Sequence, residues 1–235
     1  MKKFLTALLF APLMAFASGG VHLDTWPGSV SDKAGLQNGA KLFVNYCLNC
    51  HGASYMRYKN LTELGLSEQQ VKDNLMFTAD KIGELMRVAA RTDEQKAWFG
   101  AAPPDLTVIA RARASEMGSG ADWLYTYLRT FYKDDKRPTG WNNVAFDNVG
   151  MPHILWELQG TQVMGEDHKL KLEVPGKLSP ADYDKAVSDL VGFLVWMAEP
   201  QQEFRKTLGY GVIAFLALLF VVAYALKKEY WKDIH

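Results

Sequence analysis

Cys47-Leu48-Asn49-Cys50-His51 holds two thiols three residues apart, with an imidazole directly after the second. Each thiol in such a run can add across a vinyl group of haem, and the adjacent imidazole then reaches the iron from one face. These are the only two cysteines among 235 residues. A zinc site would need further thiolates or clustered imidazoles, and the remaining histidines are scattered. A thioredoxin-like redox pair would open a helix after a buried strand, and the segment before Cys47 is not strand-like. The motif therefore implies one covalently bound haem c.

A six-coordinate iron needs a second side chain on the far face. Methionine there raises the reduction potential, and a second histidine lowers it. Met56 lies too near His51 in the chain to reach around the ring. Met76, Met86 and Met197 fall on stretches with helical periodicity, where core packing is the ordinary role. Met117, Met151 and Met164 fall in loop-like sequence. Of these, Met151 sits between Gly150 and Pro152 and lies 100 residues beyond His51, so the chain has length to pass around the ring. His153, on the same loop, is the alternative ligand. Arg111 and Arg113 are candidates for the haem propionates, because a buried carboxylate needs a charge-assisted partner. Solvated surface positions are the ordinary reading of the same two arginines.

The elements that must position these residues are partly legible. Val21–Ser31 has little periodicity and reads as a surface-wrapping lead-in with a turn at Trp26-Pro27-Gly28. Asp32 is placed to cap a helix from Lys33 to about Cys47, with Leu36, Ala40, Phe43 or Val44, and Cys47 along one face. That helix delivers the haem motif at its end. Gly39 on it either permits a close helix crossing or is a tolerated helix glycine. Ser67 and Gln70 form a capping box that opens a helix to about Phe77. Ile82, Leu85, Met86 and Ala89 predict another helix over 80–91. Ala101-Ala102-Pro103-Pro104-Asp105-Leu106 is a stiff loop, either a pocket wall or a connector. Residues 122–132 form an aromatic helical stripe, by default core and otherwise the lining of a haem edge. A polar loop follows at 134–140. Alternation of Leu170, Leu172 and Val174 suggests a hairpin within 165–176. Ser179-Pro180 opens a helix to Ala198 that closes on the first helix, and Pro200 marks a joint.

The two ends address the chain. Residues 1–17 have a basic start, an apolar run and a small-x-small site, which reads as a signal peptide. Residues 18–206 form the haem domain and 207–227 a membrane helix, and 228–235 are a short tail. Within the span, Leu208–Leu226 is free of charge and extends about 28 Å as a helix, close to the roughly 30 Å of a bilayer's hydrocarbon core. Together these place the haem domain in the periplasm and the tail in the cytoplasm. With both cysteines used, no disulfide is available. Charges balance overall and no basic block exists, so nothing points to nucleic acid. Over 18–207 there are 24 acidic against 21 basic residues, a small excess that could steer a basic partner.

The ordered set of motifs resembles the cytochrome c1 family across essentially the whole mature chain. The resemblance is carried by Trp26-Pro27-Gly28, Asp32 through His51, Tyr55 to Leu61, Pro103 to Leu106, Arg111-Ala112-Arg113, Gly150-Met151-Pro152, Trp196 to Pro200 and the C-terminal span. It implies a mainly α, class I c-type cytochrome domain with one C-terminal transmembrane helix in the bacterial inner membrane. It also implies haem attachment at Cys47 and Cys50, iron ligation by His51 and Met151, and a propionate on Arg113, with Arg111 as the fallback. The implied role is an electron relay with no catalytic group of its own, within a ubiquinol–cytochrome c reductase. Its partners would be cytochrome b, a Rieske iron–sulfur protein as donor and cytochrome c as acceptor. A free-standing, membrane-tethered cytochrome c serving an oxidase is the alternative. Unlike some members, this chain has no further cysteine pair, so packing must replace the stiffening disulfide. The segment 52–101 follows the family pattern loosely and contributes no site residue.

Overall fold

Asp32 opens helix α1 (Lys33–Leu42) by accepting the amide of Gly35 at 3.1 Å, which satisfies one of the orphan donors of a helix start. In the computed structural model, which describes residues 21–233, this helix widens at its end into one π-type turn. That turn, Phe43–Cys47, is closed by the Leu48 amide on the Phe43 carbonyl at 3.0 Å. Such turns often occur at functional sites, and here the turn ends on the first haem-motif cysteine. The signal-peptide expectation for 1–17 lies outside the described residues.

The counterpart of α1 is α7 (Pro180–Ala198), capped by Ser179 with proline at its first position. The two helices cross in contact at Gly39. A Cβ there would lie 2.1 Å from the Asp189 carbonyl oxygen and 2.7 Å from Phe193 Cβ, so the glycine is required by the crossing. Leu36, Ala40 and Phe43 meet Leu190, Phe193 and Leu194 in the buried core, with the Phe43 and Phe193 rings 5.4 Å apart. Tyr183 anchors α7 to a third helix, α5 (Gly120–Arg129), by donating to the Leu128 carbonyl at 2.8 Å. The lead-in straps this helical frame together. Asp24 and Trp26 amides bind Thr126 Oγ1 and Asp122 Oδ1, and the Trp26 indole binds the Ser188 carbonyl. Trp26–Gly28 holds no assigned turn, and the turn comes later, at Val30–Ser31.

Several expectations shift. The helix opened by Ser67, α2 (Glu68–Asn74), carries the full capping box but ends before Phe77. Residues 80–91 are not helical. They hold turns and a two-residue strand, β2 (Leu85–Met86), paired with β1 (Ala53–Arg57). The apolar spacing there serves strand pairing and the Tyr58 and Lys59 amides, which bind the Glu84 and Ile82 carbonyls. A helix unforeseen in sequence, α3 (Thr92–Phe99), follows. Short α4 (Ile109–Ala112) carries Arg111. The aromatic stripe divides between α5 and a strand, β3 (Phe131–Lys133).

Strand β3 belongs to a four-stranded sheet in the order β4-β3-β5-β6, with β4 at Trp141–Asn143, β5 at Gly160–Met164 and β6 at Leu170–Pro175. The expected hairpin is β5 with β6, its first strand set earlier than the sequence suggested, so Met164 lies in a strand. Helix α6 (Trp156–Gln159) leads into it. The class remains mainly α, with this sheet as a side layer. After a break at Glu199–Gln201, α8 (Gln202–Tyr230) runs unbroken for 29 residues with no part of its apolar stretch covered by the rest of the chain. It is the one helix among the described residues long and apolar enough to cross a membrane.

Candidate functional site

The haem motif leaves α1 as a tight turn. The Cys47 carbonyl accepts both the Cys50 amide at 3.1 Å and the His51 amide at 2.8 Å. Neither cysteine is in a disulfide, and both are partly exposed. Crowding by the core, with Cys50 beside it, pushes the Cys47 thiol up to about 12. Leu48 between them is buried and fixes the turn to the core.

His51 is oriented by the proline loop, which flanks the imidazole. Its Nδ1 lies 2.7 Å from the Pro104 carbonyl oxygen. A carbonyl can only accept, so Nδ1 carries the proton and Nε2 keeps its lone pair free for a metal. This arrangement, a ligating imidazole donating its other N–H to a carbonyl, is the usual support for a histidine ligand. Burial lowers the His51 pKa, against the opposing pull of Pro104 and Asp105, and so favours the neutral form that binds metal. The loop is itself sewn down: the Leu106 amide binds the Gly52 carbonyl at 2.8 Å, and the Ser54 amide binds Asp105 Oδ2 at 2.7 Å. Gln95 from α3, nearly fully buried, donates to the Cys50 carbonyl at 2.9 Å. Sequence reasoning missed Gln95, whose helix shows no strong amphipathic pattern.

Met151 is half-buried against the core. The Tyr127 hydroxyl donates to its sulfur at 3.5 Å. Tyr127 was legible only as one member of an aromatic stripe. Its ring stacks on Trp123 at 4.8 Å, and the Arg113 guanidinium covers Trp123 at 4.3 Å and approaches Phe146 at 5.7 Å. Burial drives the Tyr127 phenol far above its ordinary value despite the nearby Arg113 charge, so it stays a hydrogen-bond donor. Arg113, Trp123, Tyr127 and Met151 thus form one continuous column. Arg111 stands apart. It is exposed and lies 4.0 Å from Glu199, which also pairs with Arg205 at the start of α8.

His153, the alternative ligand, is turned into the core. Its ring stacks on Phe131 at 4.9 Å and meets the edge of Trp141 at 5.1 Å, with 2% of its surface exposed. Burial lowers its pKa to about 4. Of the two candidate ligands on this loop, His153 is in the core and Met151 is the one left partly exposed. Two thiols, an imidazole with a free Nε2 and a soft sulfur are a set that suits a c-type haem.

Residues 25–234 match the Cytochrome C1 family. The chain belongs to the cytochrome c1 family. Its similarity runs full length: it is 46% identical to the cytochrome c1 of Allochromatium vinosum, covering all of both chains. It is 48% identical to a Nitrosomonas europaea protein named ammonia monooxygenase gamma subunit, covering all of this chain and 98% of that one. It is also 30% identical to the cytochrome b/c1 of Bradyrhizobium diazoefficiens, where 87% of this chain aligns to 34% of a longer protein. Family membership implies a c-type haem, which the Cys47-x-x-Cys50-His51 motif fits, and makes the chain an electron-transfer haem subunit of the bc1 type with a single C-terminal membrane anchor.

Proposed function

We propose that the chain takes an electron from a Rieske iron–sulfur protein and passes it to a cytochrome c, as the relay subunit of a ubiquinol–cytochrome c reductase that also contains cytochrome b. One haem would be held through Cys47 and Cys50, with His51 Nε2 and Met151 Sδ as the protein's donors to its iron. When bound, that haem supplies a one-electron change of valence. The residues of this chain hold and orient: Pro104 fixes the imidazole tautomer, and Tyr127 meets the sulfur. Arg113 would pair with a haem propionate. Arg111 is no longer its equal, because it faces Glu199 at the membrane joint. The haem domain is periplasmic, delivered there by the signal peptide, and α8 anchors it in the bacterial inner membrane with the tail inside.

The observation that carries this reading is the His51 Nδ1–Pro104 bond at 2.7 Å, which leaves Nε2 unprotonated directly after the two thiols. The cytochrome b/c1 relative supports a cytochrome b partner, since there this chain's likeness occupies about a third of one polypeptide. Purification in mild detergent tests the assignment. Cytochrome b and an iron–sulfur protein should accompany the chain, and added quinol should reduce its haem. Recovery alone, with reduction only by soluble donors, would favour the free-standing tethered cytochrome. The 48% identical relative named ammonia monooxygenase gamma subunit raises a second reading, which recovery with monooxygenase subunits and no cytochrome b would favour.

A further inference from the structure

The aromatic stripe of α5 contains one hydroxyl that the relay role does not by itself require. The Tyr127 hydroxyl makes a single hydrogen bond among the described residues, to Met151 Sδ. We propose that Tyr127 is a positioning residue for Met151, its O–H occupying one sulfur lone pair so that the other is directed at the iron and donates less charge to it. The inference rests on the reading of Met151 as the axial ligand.

Three contacts fix the hydroxyl independently of the sulfur. The ring lies against Trp123 with an interplanar angle of 13°, and the edge of Phe131 meets it at 5.0 Å. The residue's own carbonyl accepts from buried Asn143 Nδ2 at 2.7 Å. The ring therefore stays in place whether or not the sulfur is there, and the hydroxyl is set before a ligand bond forms. A thioether is a weak acceptor with two lone pairs, so a donor on one of them withdraws density from the other. Less donation from sulfur disfavours the ferric state, and hydrogen bonding around ligands is one of the protein's levers on potential. Phenylalanine would fill the same space and keep the stack, which separates the hydroxyl's role from packing.

The test uses the full-length, haem-loaded protein in detergent. Tyr127→Phe should keep the sulfur-to-ferric-iron charge-transfer band at the red end of the spectrum. Its reduction midpoint should fall by about two- to tenfold in the one-electron equilibrium, roughly 18–59 mV. A ring-fluorinated tyrosine at 127, a stronger donor of nearly the same size, should move the midpoint upward. If Tyr127→Phe does not fold, the fluorinated protein decides alone: an upward shift supports the proposal, and an unchanged midpoint overturns it. An unchanged midpoint in both variants also overturns it. Failure of the underlying reading looks different: the band would be missing from the wild type, or would survive in Met151→Leu.

Discussion

His51 and Met151 are secured by different means. The imidazole is held by main chain: it follows a helix end without a break, and its free N–H meets a carbonyl in a loop whose own amides are tied down. The sulfur is held by side chains from another part of the molecule, Tyr127 on α5 and, behind it, Asn143 on β4. The first wall is local and tolerates many side-chain changes around it. The second is a tertiary assembly in which one buried amide supports several neighbours. Substitutions should therefore separate the two walls.

The largest effect falls on the motif itself. Cys47→Ser with Cys50→Ser should abolish haem that survives a denaturing gel, whereas Met151→Leu should leave it attached. Retention of haem by the double serine variant would contradict covalent attachment at these thiols.

The supports come next. Asn143 is buried. Its Nδ2 binds the Tyr127 carbonyl at 2.7 Å, and its Oδ1 accepts the Ala145 and Phe146 amides at 2.9 and 3.1 Å. Asn143→Leu orphans these groups at about 1–3 kcal/mol each, so thermal unfolding should come many degrees earlier and the sulfur-to-iron band should weaken. Gly39→Val attacks the other wall's frame, where the new side chain meets α7 backbone. It should destabilise by about 1–3 kcal/mol or more while the band persists in the protein that remains folded. Equal loss of the band in both variants would erase the proposed distinction.

A smaller effect concerns acid. Burial alone would raise Asp122, but hydrogen bonds from Ser119 and the Trp26 amide outweigh it and hold the carboxylate below its ordinary value. A depressed folded-state pKa gives stability that is complete above the ordinary carboxylate range and is lost as pH falls through the folded value. Asp122→Asn should therefore flatten the fall of melting temperature on acidification, and an unchanged acid profile would count against this strap. Smallest is Arg111→Gln. Its partner is 4.0 Å away and its own side chain is mostly exposed, so unfolding should change by less than about 1 kcal/mol with the haem spectrum unaltered. Arg113→Gln, in the column beside Met151, should shift the reduction midpoint.

How far the sequence could be read follows the same division. Asp32, Ser67 and Ser179 announced their helices because capping is a local matter of side-chain oxygen and nearby amides. The Cys47-x-x-Cys50-His51 motif was legible because it is contiguous, whereas Met151 stood out only through its flanking glycine and proline. Residues 80–91 misled because Ile82, Leu85, Met86 and Ala89 repeat at helical spacing, yet Met86 is buried through strand pairing with Ala53. Helix α3 was missed because its start is Arg91, a poor cap residue, and it leaves Trp98 and Phe99 exposed. Tyr127 and Asn143 carried no signal beyond residue type, since what they touch is separated by 24 and 16 positions. Nor did the sequence show that the His153 ring packs into the core against Phe131, 22 positions away.

Carbon monoxide added to the reduced, purified protein tests the central claim most directly. With Met151 on the iron, the spectrum should stay as it was, and Met151→Leu should bind the gas. A rapid and complete spectral shift in the unaltered protein would mean an open coordination site, and the relay assignment would fall.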